Sequence, residues 1–291
     1  MKKVLLATSA LVATAGVAAA DVNLSGLARF GVLYTEGAAQ ETRAEHRFRL
    51  NIDGSAEADG GLTFGARIRM QADDGATAAG TLVANAPRFS VSAGGLSVGV
   101  GNIWGAIDSM PGLYGGTIGL SGLGFSNVVT NFGSDTYSST GAGRNGVEVI
   151  YSAGDLGVHV SNSTSGGNDR TAFSLSYAVS GWTVALGYQD STVAGDAELV
   201  VTAGGKVGEA SIGLAMAQAN NGNNSMTLSA SMAAGAATNV SLYIASDEGQ
   251  ADETAYGLGV VHNLGGGASI RGGFANTHGT NRADIGVQFN F

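Results

Sequence analysis

Apolar and polar residues take turns along this chain. From Val22 to Tyr34 the even positions Val22, Leu24, Ala28, Phe30, Val32 and Tyr34 are apolar, and Asn23, Ser25 and Arg29 lie opposite. Ala44, Phe48, Leu50 and Ile52 then oppose Arg43, Glu45, Arg47, Arg49, Asn51 and Asp53. After a turn at Ala58, Asp59 and Gly60, Leu62, Phe64, Ala66, Ile68 and Met70 oppose Thr63, Arg67, Arg69 and Gln71. A period of two is the mark of a strand with one apolar face, because successive side chains point to opposite sides of a sheet. The alternation returns at 87–93, 96–101, 146–152, 156–163, 171–179, 182–190, 197–203, 207–217, 225–232, 238–245, 254–262, 268–275 and 282–291. Sixteen strands are predicted, with no helical stretch of useful length.

Tight links such as Gly94-Gly95, 153–155 and Ser180-Gly181 alternate with longer ones at 164–170, 191–196 and 246–253. Short turns on one rim and longer loops on the other suit a membrane barrel, and an even strand count returns the chain to its starting side. Tyr34, Tyr151, Trp182, Tyr188 and Phe291 fall near strand ends on the apolar face, as an interfacial girdle requires. The chain ends on Phe291, the last residue of an unbroken alternation over 283–291.

Composition agrees with a barrel. There are 48 glycines, 2 prolines and no cysteine, with 13% charged residues and a net charge of -9. No disulfide framework is possible, and the acidic balance argues against nucleic acid. Lys2 and Lys3 precede an apolar stretch from Val4 to Val17 and the small residues Ala18, Ala19 and Ala20. Residues 1–20 therefore read as a secretory signal peptide of a bacterial export route, too short for a spanning helix, with Asp21 as the mature start. Beyond it the hydrophobicity is dispersed at every second residue, which hides a barrel from any search for continuous apolar runs.

Residues 102–145 break the rhythm. A connection this long needs a reason. It is either an exposed outer loop or a segment packed on the barrel wall. Ile103, Ile107, Met110, Leu113, Ile118, Leu120, Leu123, Val128 and Val129 favour the second reading, with the lumen wall as the available surface.

Residues 21–34, the segment 151–154 and the end 264–273 through 287–291 resemble the porins of alphaproteobacteria related to Rhodobacter. The resemblance covers both ends well and the middle mainly by pattern. It implies an all-β fold, a transmembrane antiparallel β-barrel of 16 strands, with residues 21–291 as the barrel and 102–145 folded into the lumen as a constriction loop. It implies passive diffusion of small hydrophilic solutes and ions across the outer membrane, without enzymatic activity or cofactor. The implied partners are outer-membrane lipid and lipopolysaccharide, the barrel-assembly machinery and further copies of the chain in a homotrimer. Phe291 is the implied assembly signal.

The charges bear on mechanism. Seven of the eleven arginines, Arg29, Arg43, Arg47, Arg49, Arg67, Arg69 and Arg88, sit on the polar parity of adjacent strands, and the only lysine after the signal is Lys206. They form one basic patch toward the lumen, because arginine facing lipid at mid-membrane costs about 2 to 4 kcal/mol. In porins of this type, acids on the inward loop face such a patch. Here the loop offers Asp108 and Asp135, and Glu148 on the following strand adds a third. More arginines than carboxylates at the constriction predicts a slight preference for small anions, against which the acidic remainder of the chain, mostly in loops, pulls toward cations.

Other motifs carry less. Gly141 to Gly146 matches G-x-G-x-x-G but enters a strand rather than a helix, so it does not read as a nucleotide site. His46, His159, His262 and His278 lack metal spacing, and no catalytic set stands out. Asp73-Asp74 and Asp247-Glu248 are placed where a calcium ion could bridge them, but solvated loop charge is the favoured reading. His46 on the apolar face hints at a subunit contact. A secreted or surface-anchored glycine-rich adhesive protein and a barrel-borne enzyme remain the alternatives. The adhesive reading would want a fixed repeat or a calcium-binding glycine repeat, and the sequence has neither.

Overall fold

The computed structural model describes residues 20–74, 82–115, 118–123, 133–139, 143–165 and 168–291. All but the last residue of the expected signal peptide, and several parts of 102–145, lie outside them. The strands are β1 (Asp21–Thr35), β2 (Thr42–Ala58), β3 (Leu62–Asp73), β4 (Val83–Ala84), β5 (Arg88–Ala93), β6 (Leu96–Gly101), β7 (Gly146–Ala153), β8 (Leu156–Ser165) and β9 (Asn168–Val179). They continue with β10 (Trp182–Ser191), β11 (Ala197–Val207), β12 (Ala210–Ala219), β13 (Asn224–Ala233), β14 (Thr238–Asp247), β15 (Thr254–Gly265), β16 (Ala268–Thr277) and β17 (Thr280–Asn290). Both β4 and β5 pair with β3, so they share one position in the wall and the circuit has sixteen. Pro87, which lacks a backbone N–H, lies in the gap between them.

Every neighbour pair is antiparallel, and the circuit closes where β1 meets β17, from Leu27 opposite Asn290 to Thr35 opposite Arg282. Beyond the last strand residue, the Gly26 N–H donates to the Phe291 carbonyl at 2.7 Å and the Phe291 N–H returns the bond at 3.1 Å. The terminal ring stacks on Phe48 with centroids 5.7 Å apart. Gly94 and Gly95 turn the β5–β6 hairpin with φ of +56° and +84°, the pair of positive angles that a type I′ turn asks of its two central residues.

One face of the wall is apolar and exposed throughout, with Phe30, Phe48, Phe64, Phe89, Val149, Leu186, Leu228, Leu258 and Ile285 among its members. Most buried hydrophobic residues lie elsewhere, in two clusters that combine residues between 106 and 123 with small or apolar positions of the opposite face. Such a wall, one side chain thick, has no core until another segment packs on it.

Two links differ most from the sequence reading. Gly204, Gly205 and Lys206, expected as a link, belong to β11, and the turn falls at Gly208 and Glu209. Gly205 sits opposite Trp182 on β10, and a Cβ there would lie 2.5 Å from the indole. The glycine makes room for an aromatic neighbour rather than breaking the strand. The expected longer link at 164–170 also shrinks, because β8 runs to Ser165 and β9 begins at Asn168.

Replacing Leu258, at the middle of β15 on the exposed face, with arginine should lower stability in bilayers by about 2 to 4 kcal/mol. Denaturant unfolding in liposomes measures this.

Candidate functional site: the arginine wall and the segment against it

Register decides which arginines are neighbours. Arg29 lies opposite Arg47 across β1 and β2, Asn51 opposite Arg69 and Asp53 opposite Arg67 across β2 and β3, and Arg67 opposite Arg88 across β3 and β5. All sit on the face opposite the exposed apolar one, the parity expected from the sequence.

Most of this charge is paired locally. Arg29 forms an ion pair with Glu45 and Arg43 with Asp74, and Arg47 reaches Asp73 at 3.3 Å. Arg67 holds Asp53 with two bonds of 2.5 and 3.0 Å. Arg88 donates from Nε to Glu148 at 2.7 Å. Arg49 and Arg69 instead donate to the neutral amide oxygens of Gln71 and Asn51, at 2.7 and 3.1 Å. The expected surplus of seven arginines therefore narrows to these two, joined by Arg271 on the same face of β16, which donates from Nε to the Ser269 hydroxyl at 3.1 Å. Sequence reasoning missed Arg271 because it is remote in the chain, although its polar parity beside Ile270 was legible.

The carboxylates behave differently from expectation. Glu148, counted as an acid of the constriction, is 1% exposed. It binds Arg88, meets His159 Nε2 at 3.0 Å and accepts the Trp104 and Gly105 N–H groups at 2.9 and 3.3 Å. It holds the start of the long segment against the wall. Asp108 accepts from Tyr114 and, at 2.7 Å, from Thr136, while Asp135 accepts from Ser163 at 2.7 Å and pairs with Arg170. Among the described residues, no ion pair joins either aspartate to the seven arginines. Burial pushes both carboxyls up, opposed for Asp108 by the two hydroxyls and for Asp135 by Ser163 and Arg170.

The described parts of 102–145 cover the wall at several points around the circuit. Ala106 N–H donates to Ser161 Oγ at 3.0 Å, and Thr202 Oγ1 donates to the Pro111 carbonyl at 2.5 Å. Gln189 donates to the Gly133 carbonyl at 3.1 Å. Ile107, Met110 and Leu113 pack among Ala172, Ala185, Val200, Ala215 and Ala217. Ile118 and Leu123 pack with Leu33 and Tyr243, two apolar residues at polar parity. The arginines carry the aromatics of the same segment, with Arg67 and Arg88 over Trp104 at 5.3 and 5.2 Å and Arg69 over Tyr137 at 4.8 Å. Cation–π contacts of this kind are worth about 0.5 to 2 kcal/mol each.

The acidic pairs weighed as calcium bridges are engaged in other contacts. Asp73 and Asp74 serve Arg47 and Arg43, Glu248 accepts from Asn224 at 2.8 Å, and no metal-binding group of side chains occurs among the described residues. His46 points outward, exposed, opposite Phe30. Part of the G-x-G-x-x-G match lies outside the described residues.

Comparison with known proteins gives a consistent result. A family model described as Gram-negative porin matches residues 7–282. A porin of Fuscovulum blasticum is 31% identical over 298 residues, spanning 93% of this chain and 100% of the relative. Two solved structures of mutants of Rh. blastica porin match with TM-scores of 0.81 and 0.82 at 29% and 28% identity, each over 93% of this chain and 100% of theirs.

Glu148→Gln should cost about 3 to 5 kcal/mol, because it strands a buried guanidinium. Asp53→Asn, beside the part-exposed Arg67, should cost about 1 kcal/mol or less. The shift of the unfolding midpoint in denaturant compares them.

Proposed function

The chain belongs to the Gram-negative porin family, and on that premise we propose that its filter lies between the wall arginines and residues 102–145 folded into the lumen. The family and the fold make it a passive diffusion channel integral to the outer membrane. The carrying observation is that one connection between adjacent strands touches β1, β7, β8, β10, β11, β14, β16 and β17 on the face opposite the lipid-type one. In a closed ring, a segment that meets strands around the circuit on that face lies inside it.

The chemistry is selection by width and by short-range charge, with no catalytic role and no cofactor. Solutes pass beside Arg49, Arg69 and Arg271, which carry positive charge without a carboxylate partner of their own, while Arg29, Arg43, Arg47, Arg67 and Arg88 contribute closer to neutral pairs. A mild preference for small anions follows. Homotrimerisation through the outward face of β1 to β3 is supported by His46 among Phe30 and Phe48, an imidazole that lipid would solvate poorly. Phe291 fits an assembly signal, since its ring stays 50% exposed at the closing seam. Lipopolysaccharide and the assembly machinery complete the proposed partners.

Replacing Arg49, Arg69 and Arg271 together with glutamine should reduce the chloride-to-potassium permeability ratio by roughly fivefold per charge at low salt, because each charge attracts the anion and repels the cation. A unit charge about 8 Å from a passing ion in water contributes about 0.5 kcal/mol. The difference should shrink toward 1 M salt, where screening acts within about 3 Å. Reversal potentials across a planar bilayer measure it; unchanged potentials at low salt would remove these arginines from the constriction.

A further inference from the structure

We infer that Asp284 and Arg29 form a clamp that holds residues 118–122 on a glycine floor and thereby sets the width of the pore. The inference rests on the reading of 102–145 as the constriction. Asp284 lies on the inner face of β17 and is 6% exposed. Its two oxygens accept three bonds from one turn: Leu120 N–H at 2.9 Å, Ser121 N–H at 2.7 Å and Ser121 Oγ–H at 2.7 Å. Arg29 Nη1 donates to the Leu120 carbonyl at 3.2 Å from the next strand. One peptide turn thus has its donors met by a carboxylate and its carbonyl by a guanidinium, both from the wall.

The floor is shaped to receive it. A Cβ on Gly259 or on Gly273 would lie 2.9 Å from the Gly119 nitrogen, and one on Gly31 or Gly286 would lie 2.7 or 2.6 Å from a Leu120 methyl. Four glycines on four strands, β1, β15, β16 and β17, leave the space that Ile118 to Leu120 fill. Gly119 takes φ of +72°, which a residue with a side chain adopts at a cost. Leu33 is opposite Asp284 across β1 and β17, so the carboxylate sits beside an apolar wall that the turn shields from water. Hydrogen bonds to a charged acceptor in such a place are roughly twice as strong as neutral ones.

Asp284 is therefore a positioning residue rather than one of the charges that solutes meet. Asp284→Asn removes the charge and turns one of the two acceptors into a donor facing the turn's own donors, while Asp284→Glu keeps both acceptors. The chain has no cysteine, so a single Leu120→Cys reports the clamp directly. Leu120 is 1% exposed, and the thiol should react slowly with a charged methanethiosulfonate. Adding Asp284→Asn should speed labelling about tenfold or more and raise single-channel conductance and the size limit for sugars in liposome swelling. Asp284→Glu should stay close to the parent on all three. Heat-modifiable mobility on gels identifies folded barrels, to which the comparison is confined.

Unchanged labelling in folded Asp284→Asn would overturn the clamp. Faster labelling with unchanged conductance and size limit would overturn Asp284 as a determinant of width. Asp284→Glu as loose as Asp284→Asn would overturn the role of the paired acceptors. The triple arginine variant separates these failures from failure of the constriction itself, because its reversal potential responds to the constriction and not to the clamp.

Discussion

Backbone hydrogen bonding in a medium without water is the constraint on which this molecule depends. Hydrocarbon offers no partner to an exposed N–H or C=O, so a sheet that crosses a membrane must have no open edge. The chain meets this demand by pairing its first strand with its last, and Phe291 extends the pairing by the mutual bonds with Gly26. Closure in turn divides every strand into two faces with different solvents. The lipid face is narrow in its choices, which is why period two persists across all sixteen wall positions, and the inner face is free to carry polarity, charge and glycine.

That freedom is where the functional features sit. The wall cannot form a core by itself, and the inner face offers two patches of alanine, glycine, valine and leucine on which the long segment completes one. Full burial of a side chain such as Ile103 or Leu120 contributes about 1.5 to 3 kcal/mol. Such burial is non-directional, so it holds the segment down without fixing where its turns lie. Directional bonds from Glu148 near the start, from Ser161 and Thr202 further along, and from Asp284 at the turn 118–122 supply the register.

The strands and their faces were legible because side-chain alternation is a local property imposed by the solvents on either side. Lateral partners were not. Arg67 and Asp53 lie on neighbouring strands at the same parity, and nothing in their spacing along the chain says that they meet; only the register of β2 against β3 does. Glu148 read as a pore acid for the same reason, since parity gives a face and no depth. The apolar residues of 102–145 announced a packed segment, but its footprint on the wall went unread: Leu33 and Tyr243, apolar at polar parity, and the inner-face glycines of β1, β15, β16 and β17. Gly204 and Gly205 misled because a glycine pair reads as a turn, whereas at Gly205 an aromatic ring on the neighbouring strand β10 requires the missing side chain.

Counting charges by sign overstates the field in such a pore. A guanidinium with a carboxylate at hydrogen-bond distance acts on a passing ion as a dipole, whose influence fades within a few ångströms in water, while one bonded to an amide or hydroxyl keeps its full charge. The acids of the long segment and its neighbours are engaged in holding that segment: Asp108 with Tyr114 and Thr136, Asp135 with Ser163 and Arg170, Glu148 with two backbone amides, Arg88 and His159. On the proposed reading, these acids serve the packing of the segment more than the field of the pore. On that reading, selectivity depends on which arginines lack a carboxylate, a property of register and packing that neither the net charge of -9 nor the local excess of arginine discloses.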